Sequence, residues 1–116
     1  MKDRDLKLWM AVNGILRDYA LIFGLTLKDI RPIKKKDRGL FVASCSEQGR
    51  IRMDLRNRFG KRFDAYHLID TMSHELAHLK YQNHSAQWFN FHLRILTEME
   101  QDRVYVRLRK LLKKKH

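Results

Sequence analysis

One stretch of this chain constrains its fold more than any other: residues 69–84, which read IDTMSHELAHLKYQNH. It contains His-Glu-x-x-His and, after five further residues, a third histidine. In a helix, His74 and His78 lie one turn apart on one face, with their Cβ atoms roughly 6 Å apart. Both imidazoles can then bind one metal ion at about 2.0–2.1 Å. Glu75 follows the first histidine and lies beside the metal, where a general base for a metal-activated water belongs.

The third histidine, His84, can join these ligands only if the helix ends before it. It lies six residues beyond His78, and six residues turn a helix through about 600° at roughly 100° per residue. We therefore predict a break after about Lys80, because the Gln-Asn pair at 82–83 favours a turn over a helix interior. Three protein ligands leave the fourth position of Zn²⁺ to water, as in catalytic zinc sites. The predicted metal ligands and catalytic base are His74, His78, His84 and Glu75.

The opposite side of this helix is predicted to be core. Apolar residues recur there at spacings of three and four: Leu68, Ile69, Met72, Leu76 and Leu79. A helix that buries one side and presents two histidines and a glutamate on the other is a rigid support for a metal site. Because His-Glu-x-x-His also occurs by chance, the prediction depends on this apolar face and on the third histidine.

Length and cysteine content restrict the possible architectures. A chain of 116 residues suits one domain with a single core, so we predict one domain over 1–116 with a basic extension from about residue 103. Cys45 is the one cysteine, which excludes an intramolecular disulfide and a cysteine-based zinc site. The first residues are charged and no apolar run approaches the ~20 residues of a membrane span. We expect an intracellular protein, cytoplasmic or nuclear, without a membrane segment.

The charge of the chain points to a polyanionic partner. The formal net charge is +12 and the isoelectric point is about 10.2, which favours nucleic acid, and DNA in particular, as a partner. The alternative is a basic surface that is only solvated. The candidate nucleic-acid contacts are the residues of two basic runs: Lys34, Lys35, Lys36, Arg38, Arg107, Arg109, Lys110, Lys113 and Lys114.

The remaining pattern predicts an α+β fold. A first helix spans residues 3–23, with one side traced by the apolar residues Leu6, Trp9, Met10, Leu16 and Ala20. Three strands follow at about 30–34, 40–45 and 50–56. The third alternates cleanly, with Ile51, Met53 and Leu55 inward. The order helix, three strands, metal helix and C-terminal helix predicts a small, mostly antiparallel sheet packed on the metal helix.

The C-terminal helix is predicted to begin after Ser85, which can cap it. Its aromatic and apolar stripe, which includes Trp88, is interpreted as core packing against the metal helix rather than as a substrate platform. His92 on the same stripe could be a substitute ligand, but a histidine satisfied in the core or at the surface is the simpler interpretation.

From the metal motif through Asn83-His84-Ser85 and Trp88-Phe89, the chain resembles a group of small zincins, the YgjP-like metallopeptidases and the related WLM and SprT (Spartan-like) families. The resemblance covers about residues 51–91. It implies a minimal zincin-like domain in which the three histidines hold zinc and Glu75 is the catalytic base. WLM and SprT-like proteins are associated with DNA-dependent cleavage of proteins crosslinked to DNA. The metzincins share the ligand spacing, but they have Gly where this chain has Tyr81.

Two main hypotheses follow. In the first, the chain is a zinc-dependent endopeptidase, expected to be a monomer, whose peptide substrate lies along the strand at 50–56. Tyr81 could assist at the oxyanion, although a surface or core tyrosine is the simpler interpretation. In the second, the chain is a nucleic-acid-binding module with a structural or vestigial zinc site. A hydrolase acting on a phosphorylated small molecule ranks last, since no Gly-rich phosphate loop is present.

Overall fold

The computed structural model describes residues 3–33 and 43–113. Within these ranges the chain forms four helices and three strands. In chain order they are α1 (Asp3–Ile22), β1 (Asp29–Pro32), β2 (Ala43–Cys45), β3 (Arg50–Met53), α2 (Ala65–His78), α3 (Ala86–Gln101) and α4 (Val104–Lys113). The predicted α+β class is confirmed. Lys34, Lys35, Lys36, Arg38 and Lys114, together with the first part of the predicted second strand, lie outside the described residues.

The sheet is mixed rather than mostly antiparallel. Its strand order is β1-β3-β2, with β1 parallel to β3 and β2 antiparallel to β3. A tight turn at Ser46–Gly49 folds β3 back from β2 and inserts it beside β1, with the amide of Gly49 donating to the carbonyl of Ser46 at 3.0 Å. Gly49 has φ of 84°, and a Cβ there would lie 2.7 Å from the carbonyl oxygen of Thr26. This close approach aligns β1 with β3, which the spacing of the strands in sequence does not reveal.

The side of α1 that faces the core differs from the predicted one. Leu16 and Ala20 are buried, but Leu6 and Met10 are 46% and 65% exposed. The buried side runs instead through Leu8, Val12, Ile15, Leu16, Tyr19 and Ala20. Apolar residues occupy two sides of this helix, so helical spacing alone permits either orientation. Contacts with α2 and α4 select one of them, and the hydroxyl of Tyr19 donates to the carboxylate of Asp102 between α3 and α4.

The C-terminal helical region is divided in two. Arg103 has φ of 58°, a left-handed conformation that ends α3 and starts α4 in a new direction. Val104 and Leu108 are then fully buried, so α4 covers the core beside α1 and α2. The basic segment predicted to be a C-terminal extension therefore packs, over residues 104–113, as part of the fold.

A buried ion-pair cluster joins the start of α1 to the segment after β3. Asp5 accepts hydrogen bonds from Arg56 at 2.8 and 2.9 Å and from Arg62 at 2.9 Å. The bond from Arg56, with a smaller contribution from Arg62, holds the pKa of Asp5 below its ordinary value of 3.8 despite the opposing effect of burial. The cluster fixes the connection that leads from the sheet into α2.

We expect Asp5→Asn to destabilise the protein by about 3 kcal/mol near pH 7, because it leaves two partly buried guanidinium groups without the carboxylate that they share. A carboxyl group with a lowered folded-state pKa stabilises the fold above its unfolded pKa of about 3.9 and loses that contribution as the pH falls. The difference in free energy of unfolding between the two proteins should therefore shrink below about pH 4. Urea unfolding at pH 7 and pH 3 measures it. A difference that does not depend on pH would contradict the ion-pair account.

Candidate metal centre

The helix that carries the motif is capped at its start and buried on one side. The side chain of Asp64 accepts a hydrogen bond from the backbone amide of His67 at 2.8 Å, as N-cap residues do. Four of the five residues of the predicted apolar stripe, Leu68, Ile69, Met72 and Leu76, are 0–2% exposed. This packing holds α2 in place, so the side chains on its other face are carried by a rigid element.

The predicted break after α2 is present, and it returns the chain toward the helix. The backbone amide of Tyr81 donates to Ala77 at 3.0 Å, and the side-chain amide of Gln82 donates to the carbonyl of His78 at 2.8 Å. Ser85 then caps α3 by accepting from the amide of Trp88 at 3.2 Å. Because both ends of this short connection are hydrogen bonded, His84 is placed opposite the two histidines of α2.

The three histidines converge through their Nε2 atoms. The Nε2 atoms of His74 and His78 are 3.2 Å apart, those of His78 and His84 are 3.1 Å apart, and those of His74 and His84 are 3.4 Å apart. Two nitrogen ligands of a tetrahedral zinc ion, each about 2.05 Å from the metal, are separated by about 3.3 Å. The triangle has the size that such an ion requires, and these three side chains could hold a metal ion.

The protonation of this cluster suits metal binding. Burial, followed by the neighbouring histidines, lowers the pKa of His74 to about 4. Burial also lowers the pKa of His78, against the opposing effect of its hydrogen bond to the backbone of Tyr81. Nδ1 of His78 donates to the carbonyl of Tyr81 at 2.9 Å, which leaves the lone pair on Nε2, the atom that faces the other two rings. At neutral pH the imidazoles of His74 and His78 are therefore available as ligands.

Glu75 follows His74 on α2, and α2 packs against β2. Glu75 is only 4% exposed, and burial raises the pKa of its carboxyl group to about 7. A bound cation would lower that pKa. Burial raises the pKa of the Cys45 thiol on β2 to about 12, and the nearby Glu75 carboxylate adds to this increase. The strand nearest to this carboxylate is therefore β2, an edge of the described sheet.

Trp88 contacts all three histidine rings. Its ring stacks on His78 at 5.1 Å and meets His74 and His84 edge-on, each at 4.7 Å between ring centres. Its indole NH lies 3.4 Å from the carbonyl oxygen of His74. We predicted that Trp88 packs in the core against the metal helix. In the structure it packs against the three histidine side chains, and it therefore restricts their orientations. The sequence signal was present: an aromatic residue follows the third histidine in the families that the motif resembles.

His92 lies outside the triangle. It is buried, it stacks on Trp88 at 5.3 Å, and its Nε2 lies 3.3 Å from the carboxylate of Asp70. Its Nδ1 atom is buried without a hydrogen-bond partner among the described residues. Its ring lies 6.0 Å from that of His74, so it packs behind a ligand rather than joining the three converging nitrogens.

The structure changes the expected substrate position and supports the simpler interpretation of Tyr81. Residues 50–56 cannot receive a substrate strand along β3, because β3 is the central strand and both of its edges are already paired. The ring of Tyr81 packs edge-on against Phe91 at 6.0 Å, as a core tyrosine does. Tyr81 contributes to the cluster through its backbone carbonyl, which accepts the hydrogen bond from His78. Every residue has this carbonyl, so the sequence does not predict its role.

The predicted nucleic-acid residues that the structure describes lie on α4, apart from the histidine cluster. Arg107, Arg109, Lys110 and Lys113 are all exposed. Arg109 and Lys113 line a cleft between α4 and the start of α2, whereas Arg107 and Lys110 do not. None of the described helices is both long enough and apolar enough to span a membrane.

Comparison with known proteins identifies a shared fold. No family model and no curated protein matches the sequence. Among solved structures, the crystal structure of a Wss1 mutant from Saccharomyces cerevisiae is similar, with a TM-score of 0.70 over 86% of this chain and 83% of that chain. The two sequences are 15% identical over the match. The chain therefore has the fold of Wss1, and the likeness extends over most of both chains.

Proposed function

We propose that this chain is a zinc-dependent endopeptidase that acts on proteins bound or crosslinked to DNA, with His74, His78 and His84 as zinc ligands and Glu75 as the catalytic base. The observation that carries the proposal is the convergence of three Nε2 atoms at 3.1–3.4 Å beside a buried carboxylate. A purely structural zinc site has no need of that carboxylate. The residues fit Zn²⁺ in ligand type, in spacing and in protonation.

Bound zinc would supply a water of lowered pKa and would polarise the scissile carbonyl. The protein's part in the reaction is proton transfer: a carboxylate oxygen of Glu75 accepts the proton of the water and then donates it to the leaving amine. Its burial keeps the proton affinity of this carboxylate high enough for the second step. Trp88 and the carbonyl of Tyr81 hold the imidazoles in the orientation that the reaction requires.

The substrate chain would lie along β2. An extended peptide can add to an exposed sheet edge through backbone hydrogen bonds. Among the described strands, β2 is the edge strand whose Cys45 neighbours Glu75. A peptide paired there would pass beside the carboxylate, which is the position that hydrolysis requires. This replaces the expectation that the substrate follows residues 50–56.

Association with DNA is supported by the charge of the chain, by its motif and by its fold. The net charge is +12, and α4 carries four basic residues and no acidic one. The motif resembles those of WLM and SprT-like proteins, and the fold is that of Wss1. The second candidate function, a nucleic-acid-binding module with a structural zinc site, shares the charge but leaves Glu75 without a role.

The test is proteolysis by the zinc-loaded protein of a basic DNA-binding protein, with and without single-stranded DNA. We expect cleavage that depends on zinc and increases when DNA is added. A cleavage rate that does not change when DNA is added would indicate a general peptidase, and the proposal of a DNA-bound substrate would be wrong. Binding of zinc without cleavage of any protein tested would favour the nucleic-acid-binding module.

A further inference from the structure

The start of α2 and the facing side of α4 present a group of aromatic rings. Tyr66 is 65% exposed, and its ring centre lies 4.3 Å from that of Tyr105, with the rings tilted by 36°. Phe63 stacks on His67 with 4.1 Å between ring centres and 10° between planes. None of these four rings contacts the rings of His74, His78 or His84. Because Tyr66 and Tyr105 face one another, the exposed part of Tyr66 is the surface on which another planar group can stack.

Basic side chains lie directly beside these rings. Tyr105, Arg109 and Lys113 follow one another at four-residue spacing and therefore share one face of α4. The guanidinium of Arg109 lies 5.9 Å from the centre of the Tyr105 ring. Arg109 and Lys113 are exposed, and both line a cleft of about 360 Å³ together with Phe63 and Tyr105. We call the surface made by Phe63, Tyr66, Tyr105, Arg109 and Lys113 the aromatic–basic surface.

A second cleft lies on the other side of Tyr105. Its volume is about 310 Å³, and Tyr66, Tyr105 and Leu96 line it. Tyr105 thus separates a cleft lined by several basic residues from one lined by a single basic residue, Arg103. The acidic group in the basic cleft, Asp64, already accepts the amide hydrogen bond that caps α2. Glu100 lines the second cleft together with Arg103. Asp64 keeps its charge, but Arg62, Arg109 and Lys113 line the same cleft, so basic charge exceeds acidic charge there.

We propose that the aromatic–basic surface binds single-stranded nucleic acid, with a base stacked on the Tyr66–Tyr105 pair and phosphates at Arg109 and Lys113. Rings interleaved with cations match such a strand, because bases stack on aromatic faces while the basic groups neutralise the phosphates. A duplex keeps its bases stacked inside and offers these tyrosines nothing to stack on. The proposal rests on the nucleic-acid association proposed above and adds to it a location and a strand form.

The position of this surface relates it to the metal centre. Tyr66 and His74 are both on α2, eight residues apart, which is about 12 Å along the helix axis. A strand bound at the start of α2 that continues along this helix would reach the end of the helix where the three histidines converge. A protein attached to that strand would be held near the proposed catalytic site.

The experiment measures binding of a fluorescein-labelled oligothymidine to the full chain by anisotropy, over a range of salt concentrations. We expect Tyr66→Ala to weaken binding by about tenfold or more, because it removes one base–ring stack, and Tyr66→Phe to retain most of the affinity. Arg109→Ala should lower the slope of log affinity against log salt by about 0.7, the contribution of one phosphate contact in a single strand. Arg94→Ala is the matched control, since Arg94 is exposed and lies 5.4 Å from the ring of Phe23, outside both clefts.

Oligouridine and a DNA duplex complete the series. Affinity for either single strand that depends on Tyr66 supports the surface. Binding to the duplex as tightly as to the single strand would overturn the proposal, as would Tyr66→Ala and Arg109→Ala proteins that bind like Arg94→Ala. Tyr66 is mostly exposed, so thermal melts should show these variants folded. Because anisotropy detects binding without turnover, failure of this surface and failure of the peptidase activity are distinguishable.

Discussion

Replacing Glu75 with Gln should lower the rate of peptide cleavage by about 10²–10⁴-fold while zinc stays bound. Gln keeps the size of the side chain but cannot accept the proton of the attacking water, and general acid–base catalysis contributes a factor of this order. The measurement is kcat for cleavage of a protein substrate, with zinc content determined on the same samples. Asp18→Asn, the same chemical change at an exposed position of α1, should leave kcat unchanged.

The same substitution has an effect on stability that does not depend on turnover. A buried carboxyl group whose pKa rises to about 7 on folding destabilises the folded state once the pH exceeds its unfolded pKa, because the charged form is disfavoured in the fold. In protein stripped of zinc, Glu75→Gln should therefore raise the free energy of unfolding at pH 8 relative to the unmodified chain. Cleavage that survives in Glu75→Gln would remove Glu75 from the mechanism, whatever its effect on stability.

Replacing His84 with Ala should weaken zinc binding by more than about 100-fold. Loss of a partner beyond the direct ligands typically costs 10–100-fold in metal affinity, and loss of one of three direct ligands should cost more. Competition with a chelator of known affinity at pH 7.5 measures the change. His84 is exposed and follows the end of α2, so the fold should survive its removal.

The matched control for this variant is His67→Ala. Like His84, His67 is an exposed histidine, but it stacks on Phe63 and does not belong to the group of three converging histidines. The His67→Ala protein should bind zinc with the affinity of the unmodified chain. Unchanged affinity in His84→Ala would show that two histidines suffice, and the tetrahedral site proposed here would be wrong.

The fold and the candidate site were predictable to different extents. The sequence predicted the two faces of α2, because helical geometry places residues three and four apart on the same side. The alternation of Ile51, Met53 and Leu55 likewise identified β3, and all three are buried as predicted. The break after α2 was required by the spacing of the third histidine. These inferences concern neighbours in the chain, for which local geometry is sufficient.

Other features depended on contacts between distant segments. The parallel pairing of β1 with β3, the edge position of β2 beside Glu75 and the choice between two apolar sides of α1 follow from how elements pack, and several arrangements satisfy the same periodicity. The aromatic–basic surface arises only because Tyr66 and Tyr105, 39 positions apart in the sequence, meet where α2 contacts α4. The sequence by itself determined which residues can bind a metal and which strand alternates. The tertiary structure decided which sheet edge adjoins Glu75 and which rings and cations share a surface, because pairing and packing energies are set by segments far apart in the chain.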